Sequence, residues 1–242
     1  MAEILWNGKE VLGIINGHGR CDWSASGISI DTRTLNKGDI FFALPGLNND
    51  GNDFIEDALN RGACSAISNR PSLINSNKVI FVNDVYKALN ELANYARQRT
   101  KAKIIGITGS SGKTTLKEMI SSCLIDYGRI HKSERSFNNH LGVPLSLSRM
   151  PIDVDYAVFE IGMNNKGEIL KLTNLIKPHI GIVNNVGEAH IGNFNSKKDL
   201  IEEKLSITKG IVDDGSLIIN ENLKSDLDIN IIKNKSLNIS TF

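Results

Sequence analysis

A glycine-rich segment that ends in Gly-Lys-Thr-Thr is the feature that most constrains what this chain can fold into. The segment occupies residues 106–115, reads GITGSSGKTT, and overlaps the end of the apolar run Lys103–Ile107. Glycines in such a turn let successive backbone N–H groups point at phosphate oxygens, and the helix that follows adds positive potential. The sequence therefore predicts a phosphate-binding loop between a buried strand and a helix. The predicted nucleotide-binding residues are Gly109, Ser110, Ser111, Gly112, Lys113, Thr114 and Thr115.

Two side chains of this loop carry the chemistry that such loops perform. Lys113 is placed to neutralise the β- and γ-phosphates, and the hydroxyl of Thr114 can hold Mg²⁺. The strict pattern has another glycine five residues before Gly112, and Ile107 stands there instead. A glycine-rich turn without chemical meaning is the simpler interpretation, but Gly-Lys-Thr-Thr between a strand and a helix favours the nucleotide site.

A GTPase is the alternative class of protein that shares such a loop. The segment Asn36-Lys-Gly-Asp39 matches the guanine-specifying pattern Asn-Lys-x-Asp. That motif should follow the loop on a later strand, whereas here it precedes the loop by about 70 residues, and no Asp-x-x-Gly follows Lys113. The order of the motifs therefore argues against a GTPase switch.

Short β-branched runs alternate along the chain with patterns typical of helices, which predicts an α/β fold with parallel sheets and crossover helices. We expect a small N-terminal α/β domain over residues 1–83 and a linking helix over 84–102, capped by Asp84. A phosphate-loop domain over 103–242 should follow, with a mostly parallel sheet and helices on both faces. The predicted strands cover residues 28–30, 39–44, 64–68, 79–82, 103–107, 156–161, 180–184, 216–220 and 229–232. The predicted helices cover residues 53–61, 84–99, 197–210 and a segment from Thr114.

Charge and cysteine content exclude several classes of protein. The 28 Lys and Arg residues nearly balance the 27 Asp and Glu residues, and the net charge of +1 argues against a protein that grips nucleic acid through a basic field. Cys21, Cys64 and Cys123 are odd in number and widely spaced, so they predict neither disulfides nor a zinc site, and we expect mostly buried thiols. No apolar run reaches the roughly 18–20 residues of a membrane span, and no signal peptide is evident, which predicts a cytoplasmic protein.

Three charged side chains are candidates for the chemistry beside the loop. Glu160 interrupts the apolar run of residues 156–161, and because a buried carboxylate needs a cation or a donor, we expect a second metal ligand there. His190 follows the next predicted strand, at the sheet edge where ligands collect in open α/β sheets. Lys204 lies inside the apolar stripe of a helix, where its simplest interpretation is a buried stem with the charged head in water.

These motifs together resemble the Mur ligases of bacterial cell-wall synthesis, over about residues 27–222. The phosphate loop of that family also lacks the early glycine, so Ile107 agrees with the resemblance. Residues 138–144 read Asn-Asn-x-x-Gly-x-Pro. That pattern is typical of the branch of the family that adds D-alanyl-D-alanine.

The N-terminal part of the chain is similar to the uridine-nucleotide-binding segment of the same family. The similarity is carried by Asp-Thr-Arg at residues 31–33 and by the segments 37–46 and 50–54. Asn52 stands where the family usually has histidine. The resemblance implies that this part of the chain binds the uridine-linked substrate.

The resemblance also implies roles for single side chains. Glu160 and His190 would ligate magnesium together with Thr114, and Lys204 would carry a carbamate, an anion that supports the magnesium. A carbamate would explain a lysine inside an apolar stripe. The implied catalytic residues are Lys113, Lys204 and His190, and the implied substrate-binding residues are Thr32, Arg33, Asn138 and Asn139.

The implied activity is ATP-dependent peptide ligation in the synthesis of peptidoglycan precursors, with ATP and Mg²⁺ as cofactors. The γ-phosphate of ATP would pass to the carboxylate of UDP-N-acetylmuramoyl-tripeptide, and the amine of D-alanyl-D-alanine would attack the acyl phosphate. We expect a monomer that binds these small molecules and no nucleic acid. Family members carry a C-terminal domain that we do not expect here, and the resemblance implies that the central domain over 103–242 is itself incomplete. Two alternatives therefore stay open. One is a non-catalytic fragment that binds ATP and UDP-sugar, and the other is another Mur-type ligase, such as the tripeptide-forming one.

Overall fold

The chain forms two compact units in a computed structural model. The first unit comprises Met1–Gln98 with Ser148–Pro151, and the second comprises Arg99–Leu147 with Ile152–Phe242. Each contains a parallel sheet with helices, which confirms the predicted α/β class. The structure describes residues 3–46, 49–71, 77–134, 137–187, 191–194 and 196–242.

The first unit is built around a short parallel sheet. Its elements are β1 (Trp6–Asn7), α1 (Gly8–Ile15), β2 (Ser24–Ala25), β3 (Gly27–Ser29), β4 (Asp39–Phe42), a 3₁₀ turn (Gly51–Phe54), α2 (Ile55–Asn60), β5 (Ser65–Ser68), β6 (Val79–Phe81) and α3 (Val85–Arg99). Strands β3 to β6 pair in parallel in chain order, and β1 and β2 form a separate antiparallel pair. The helix predicted as a linker is α3, and all but its last residue belongs to this unit.

Helix α3 follows the sequence pattern closely. The Asp84 carboxylate accepts a hydrogen bond from Lys87 N at 2.9 Å, so the predicted N-cap is confirmed. The apolar positions recur at helical spacing and all face the core of the unit. The buried residues of this helix are Val85, Ala88, Leu89, Leu92, Ala93 and Ala96.

The second unit is a parallel sheet of six strands. Its elements are β7 (Lys103–Thr108), α4 (Lys113–Leu124), β8 (Ile130–Lys132), α5 (Gly142–Ser148), β9 (Tyr156–Glu160), α6 (Glu168–Ile176), β10 (Ile180–Val183), a 3₁₀ turn (Ile191–Asn193), α7 (Lys197–Leu205), α8 (Ile207–Gly210), β11 (Ser216–Ile219), a 3₁₀ turn (Glu221–Asp226), α9 (Ile229–Asn234) and β12 (Asn238–Thr241). The strand order is β12-β11-β10-β7-β9-β8. The register pairs Ile107 with Glu160 and Thr108 with Val183, so β7, β9 and β10 end at the same edge of the sheet.

Helices cover both faces of this sheet next to β7. On one face, Ile105 and Ile107 belong to a buried cluster against which Leu116 and Ile120 of α4 pack. Alternate residues of a strand point to opposite faces, so Gly106 faces the other side. A Cβ atom at Gly106 would lie 3.1 Å from Cδ1 of Ile176, the last residue of α6, so the strand packs tightly against that helix at this glycine.

The C-terminal part of the sheet corrects one prediction. Residues 229–232, predicted as a strand, belong to helix α9. The reason is local: the Asp228 carboxylate accepts a hydrogen bond from Asn230 N at 2.9 Å and so caps a helix that the β-branched run alone does not indicate. The edge strand is instead β12, which pairs in parallel with β11.

The cysteines correct another prediction. Cys21 and Cys123 are exposed and Cys64 is half-buried, so the thiols are not mostly buried. Cys123 lies at the penultimate position of α4 and is exposed there. Burial raises the pKa of the Cys64 thiol to about 11, which keeps it protonated and unreactive at neutral pH. Within the described stretches, no helix has the length and apolar character needed to span a bilayer.

Candidate functional site

The predicted phosphate loop lies at the carboxyl edge of the second unit's sheet. Strand β7 ends at Thr108, the loop follows, and α4 begins at Lys113. Gly112 has φ of +74°, a left-handed conformation that favours glycine, and it immediately precedes the first helical residue. The strand, turn and helix required for a phosphate loop therefore stand in the order that the sequence indicates.

Lys113 folds back onto this loop. Its Nζ donates a hydrogen bond to the carbonyl oxygen of Gly109 at 2.8 Å. Burial lowers the pKa of Lys113, while the negative charge of Glu160 opposes that shift. The hydrogen bond to Gly109 places the Lys113 amine at the mouth of the loop.

Glu160 lies fully buried at the end of β9, as its place in an apolar run predicts. Its Oε2 accepts a hydrogen bond from the Thr114 hydroxyl at 3.1 Å. Its Oε1 lies 3.2 Å from Lys117 Nζ but has no hydrogen-bond partner among the described residues. The structure thus brings together the two predicted metal ligands that it describes, Thr114 and Glu160.

This pair of side chains fits a magnesium ion. Mg²⁺ prefers hard oxygen ligands and takes only one or two from the protein when it also binds phosphate. A hydroxyl oxygen next to a buried carboxylate, one oxygen of which lacks a hydrogen bond, supplies such ligands. Among the described residues, no group of three or more His, Cys, Asp and Glu side chains could hold a metal ion. The third predicted ligand, His190, falls outside the described residues.

Lys117 is a charged residue of this site that the sequence analysis missed. It lies one helical turn after Lys113 on α4 and is only 1% exposed. Its Nζ donates to the carbonyl oxygen of Ser133 at 2.7 Å and lies 3.2 Å from carboxylate oxygens of both Glu160 and Glu118. A buried lysine is costly without such partners, so Lys117 acts as the fixed counterion of Glu160. The available signal was its position three residues after Thr114, on the same helix face.

Lys204 contradicts the expectation of a charged head in water, because the residue is only 1% exposed. Burial is the main cause that lowers its pKa to about 8; the positive charge of Lys113 lowers it further, and Glu203 opposes the shift. The influence of Lys113 shows that helix α7 brings Lys204 towards the phosphate loop. Local sequence could indicate the buried stem but not the burial of the amine.

Glu203, the neighbour of Lys204, has a structural role. Its two carboxylate oxygens accept hydrogen bonds from Gly167 N at 2.7 Å and Ile169 N at 2.9 Å, at the start of α6. A carboxylate at a helix N-terminus is favoured by the helix dipole. This contact fixes α7 against α6 and so helps to set the position of Lys204.

The predicted substrate residues lie in both units. In the first unit, the Arg33 guanidinium is exposed and forms a bidentate ion pair with Asp31. Thr32 is buried and forms a hydrogen bond with the Asp57 carboxylate. The pKa of Asp57 is lowered mainly by its hydrogen bond with Arg61 and further by this bond with Thr32. Arg33 is thus the more accessible of the two predicted substrate residues.

Asn138 and Asn139 lie in the second unit beside β9. The backbone carbonyl of Asn138 accepts a hydrogen bond from Gly162 N at 2.7 Å, two residues after Glu160. Asn139 Oδ1 accepts hydrogen bonds from Leu141 N at 3.1 Å and Gly142 N at 2.9 Å, which caps the start of α5. Asn138 therefore lies near the carboxylate, whereas the Asn139 side chain supports the local fold.

Asn52, which stands where the resembled family has histidine, is buried in the first unit. Its Nδ2 donates to Asp50 Oδ1 at 2.7 Å and to Asn69 Oδ1 at 3.0 Å, and its Oδ1 accepts from the Ser68 hydroxyl at 2.6 Å. These bonds occupy both ends of the amide. The side chain therefore stabilises its own turn.

A pair of asparagines that the sequence analysis did not select holds the phosphate loop from the neighbouring strand. Asn184 and Asn185 directly follow β10. Asn185 Oδ1 accepts hydrogen bonds from the backbone N of Ser110 and of Ser111, each at 3.0 Å. Asn184 Nδ2 donates to the carbonyl oxygen of Ser111 at 2.9 Å. The signal in the sequence was two consecutive amides at the end of a strand that pairs with β7.

Comparisons with family models match nearly the whole chain. The model described as the Mur ligase middle domain matches residues 107–242. The model described as the Mur ligase family, catalytic domain, matches residues 24–111. The first of these alone spans more than half of the 242 residues.

Several similar curated proteins share the name UDP-N-acetylmuramoyl-tripeptide--D-alanyl-D-alanine ligase. The protein of Rickettsia prowazekii is 39% identical over 246 residues, which cover 99% of this chain and 54% of that protein. The protein of Bacillus subtilis is 39% identical over 194 residues, which cover 79% of this chain and 42% of that protein. The chain thus spans about half the length of the curated relatives it matches.

Solved structures agree with these matches. MurF from Acinetobacter baumannii superimposes with a TM-score of 0.83 at 31% identity and covers 98% of this chain and 53% of its own. MurF from Thermotoga maritima, solved in complex with ADP, gives a TM-score of 0.73 at 27% identity over 89% of this chain and 50% of its own. The fold and the family of the described units are therefore shared with these proteins.

Proposed function

We propose that this chain, which belongs to the Mur ligase family, carries the ATP site of a ligase that joins D-alanyl-D-alanine to UDP-N-acetylmuramoyl-tripeptide. The observation that carries the proposal is the phosphate loop whose Thr114 hydroxyl binds the buried carboxylate of Glu160 at one sheet edge. The relatives at 34–39% identity all bear the name of this ligase, which favours it over the tripeptide-forming alternative. The cytoplasmic location and the monomeric state stay predictions.

The reaction would proceed in two steps. A carboxylate oxygen of the tripeptide attacks the γ-phosphorus of ATP, and ADP leaves. The amine of D-alanyl-D-alanine then attacks the acyl carbon, inorganic phosphate leaves, and the amine gives up a proton as the amide forms. Both steps require that the carboxylate and the triphosphate, two anions, approach one another, and the site must neutralise that charge.

The residues of the loop would meet this requirement. Lys113 would exchange its hydrogen bond with Gly109 O for one with the β- and γ-phosphate oxygens. Thr114 and Glu160, with His190 as the family implies, would hold Mg²⁺, which supplies positive charge to the phosphate oxygens when bound. Lys117, already bound to Glu160, would keep that carboxylate oriented.

Lys204 would act as a carbamate. Its pKa of about 8 leaves about a tenth of the amine neutral at pH 7, against well under a thousandth for an ordinary lysine. The neutral nitrogen attacks CO₂, an N–C bond forms, and one proton leaves, so that a buried cation becomes an anion near Lys113. The carbamate anion of Lys204 and the cation of Lys113 then attract each other in a buried environment, where two ammonium groups would repel each other. This attraction favours the modified form.

We expect ¹³C-bicarbonate to give a carbamate signal in the NMR spectrum of the 242-residue chain, and this signal should grow as the pH rises from 6.5 through 8. The sign follows from the lowered pKa, because protonated amine cannot react and its share falls as the pH approaches that pKa. Lys204→Met should remove the signal, whereas Lys209→Met, on the neighbouring α8, should retain it. A signal of equal size in Lys204→Met would contradict the assignment.

The substrate itself provides the test of the ligase assignment. UDP-N-acetylmuramoyl-tripeptide should slow amide hydrogen exchange at residues 32–46 and around Asn138, and should do so at lower concentration than the corresponding dipeptide compound. The reason is that the tripeptide carries the carboxylate that this ligase activates. Stronger protection by the dipeptide compound would favour the tripeptide-forming ligase, and no protection of the first unit by either compound would reject a muramoyl substrate.

A further inference from the structure

We propose that Asn185 is a positioning residue of the nucleotide site, which holds the first half of the phosphate loop so that the N-terminus of α4 is left to bind phosphate. The inference rests on the proposed ATP site and adds to it a residue from a different strand. Asn185 follows β10, whereas the loop follows β7, and the two segments are more than 70 residues apart in sequence.

Both the oxygen and the nitrogen of the Asn185 side-chain amide form hydrogen bonds with the loop. Its Oδ1 accepts from the N–H groups of Ser110 and Ser111, and its Nδ2 donates to the carbonyl oxygen of Ser111 at 3.2 Å and to the Ser111 hydroxyl at 3.1 Å. Its backbone carbonyl also accepts from Ser110 N at 3.1 Å. One side chain therefore uses both ends of its amide to fix two consecutive loop residues.

Gly187 and Asn184 also contact the loop. Gly187 N donates to the Ser110 hydroxyl at 2.9 Å. The loop glycines lie against Asn184, since a Cβ at Gly109 would come within 3.1 Å of Asn184 Cβ and a Cβ at Gly112 within 2.9 Å of its Nδ2. The path of the loop is thus set by the segment after β10.

This arrangement divides the N–H groups of the loop into two sets. Those of Ser110 and Ser111 are bonded to Asn185. Although the sequence predicts that these two residues bind the nucleotide, we expect that their N–H groups do not receive phosphate. In α4 the first N–H group that bonds to a carbonyl four residues earlier is that of Leu116, which donates to Gly112 O. The N–H groups of residues 113–115 come before it and have no such partner within the helix. These groups, with the helix dipole and Lys113, would bind the phosphate.

A loop that is held before the nucleotide arrives does not have to be ordered when it binds, and such preorganisation raises affinity. We therefore expect Asn185→Ala to weaken MgATP binding to the 242-residue chain by about tenfold, as measured by calorimetry, because the loop must then be ordered on binding. Inorganic tripolyphosphate, which lacks the nucleoside, should lose affinity by the same factor. The melting temperature without nucleotide should change little, since these contacts are at the surface.

Asn184→Ala is the matched control, because Asn184 contributes a single hydrogen bond to the loop and accepts none from Ser110 or Ser111. It should weaken MgATP binding clearly less than Asn185→Ala. Unchanged or tighter binding of MgATP in Asn185→Ala would overturn the proposal, and tighter binding would indicate that Asn185 obstructs the phosphate site. If the unsubstituted chain binds no ATP, it is the proposed function that fails.

Hydrogen exchange in the unsubstituted chain tests the same proposal without a variant. The amides of Ser110 and Ser111 should be protected before any nucleotide is added and should stay protected when MgATP binds. Free exchange of both amides without nucleotide, or loss of their protection on MgATP binding, would show that Asn185 does not hold the loop.

Discussion

Replacement of Lys117 by methionine is expected to destabilise the second unit by about 3 kcal/mol, because it removes the cation that lies against a buried carboxylate. Glu160 is fully buried, and Lys117 Nζ lies 3.2 Å from its Oε1. The Thr114 hydroxyl would be the remaining neighbour with which the carboxylate forms a hydrogen bond. Urea-induced unfolding of the 242-residue chain, followed by circular dichroism, measures the loss.

Lys132→Met is the control for this prediction. Lys132 also pairs with a glutamate, Glu118, but both side chains are about half exposed, and such surface pairs contribute about 0–1 kcal/mol. The double variant Lys117→Met with Glu160→Gln should recover much of the stability, because no unpaired charge is then buried. If Lys117→Met unfolds at the same urea concentration as the unsubstituted chain, Lys117 is not the counterion of Glu160.

Nucleotide binding should depend on Lys113 more than on any exposed lysine. MgATP at about a hundred times its dissociation constant adds roughly 2.7 kcal/mol of stability, which corresponds to a rise in melting temperature on the order of 5–10 °C for a chain of this size. Lys113→Ala should abolish most of that rise, because the β- and γ-phosphates lose their closest cation. Thermal melting with and without MgATP provides the measurement.

Lys171→Ala is the matched control, since Lys171 is an exposed lysine of the same unit on α6. It should retain the full shift. An equal shift in Lys113→Ala, or a larger shift with MgGTP than with MgATP, would contradict the assignment of the loop to ATP.

The sequence predicted the local structure of the candidate phosphate loop well, because its signals are local. The phosphate loop is a continuous strand, turn and helix, so hydrophobic pattern, glycines and the Gly-Lys-Thr-Thr run all lie within residues 103–124. Glu160 was recognisable because an acid inside an apolar strand must meet a partner. The parallel register of β7 and β9 then places Glu160 beside the phosphate loop, as expected for strands that end at the same edge of a sheet.

The residues that the sequence did not reveal depend on contacts between distant segments. Asn185 binds loop residues that are 74–75 positions away in sequence. Lys117 of α4 forms an ion pair with Glu160 at the end of β9. Lys117 has exposed polar neighbours along α4, a pattern typical of a surface lysine. It is buried because α4 packs against β9. Local patterns therefore mark these residues as candidates but do not identify their partners.

Helix boundaries show a further limit of local patterns. Residues 197–210 were predicted as one helix, but α7 ends at Leu205 and α8 begins at Ile207. The Ser206 hydroxyl donates to the carbonyl oxygen of Glu203 at 2.6 Å, an interaction by which serine competes with helical hydrogen bonds. Similarly, Asp228 determines that residues 229–234 form a helix, although their β-branched run favours a strand.

Amide hydrogen exchange of the 242-residue chain with and without MgATP tests the central claim most directly. The account predicts that MgATP slows exchange at residues 112–115, where the N–H groups at the start of α4 meet the phosphates, and that Lys113→Ala loses this effect. It also predicts no new protection at residues 36–39, which match the guanine motif by sequence alone. Protection absent from residues 112–115 in the presence of saturating MgATP would show that this loop is not the nucleotide site.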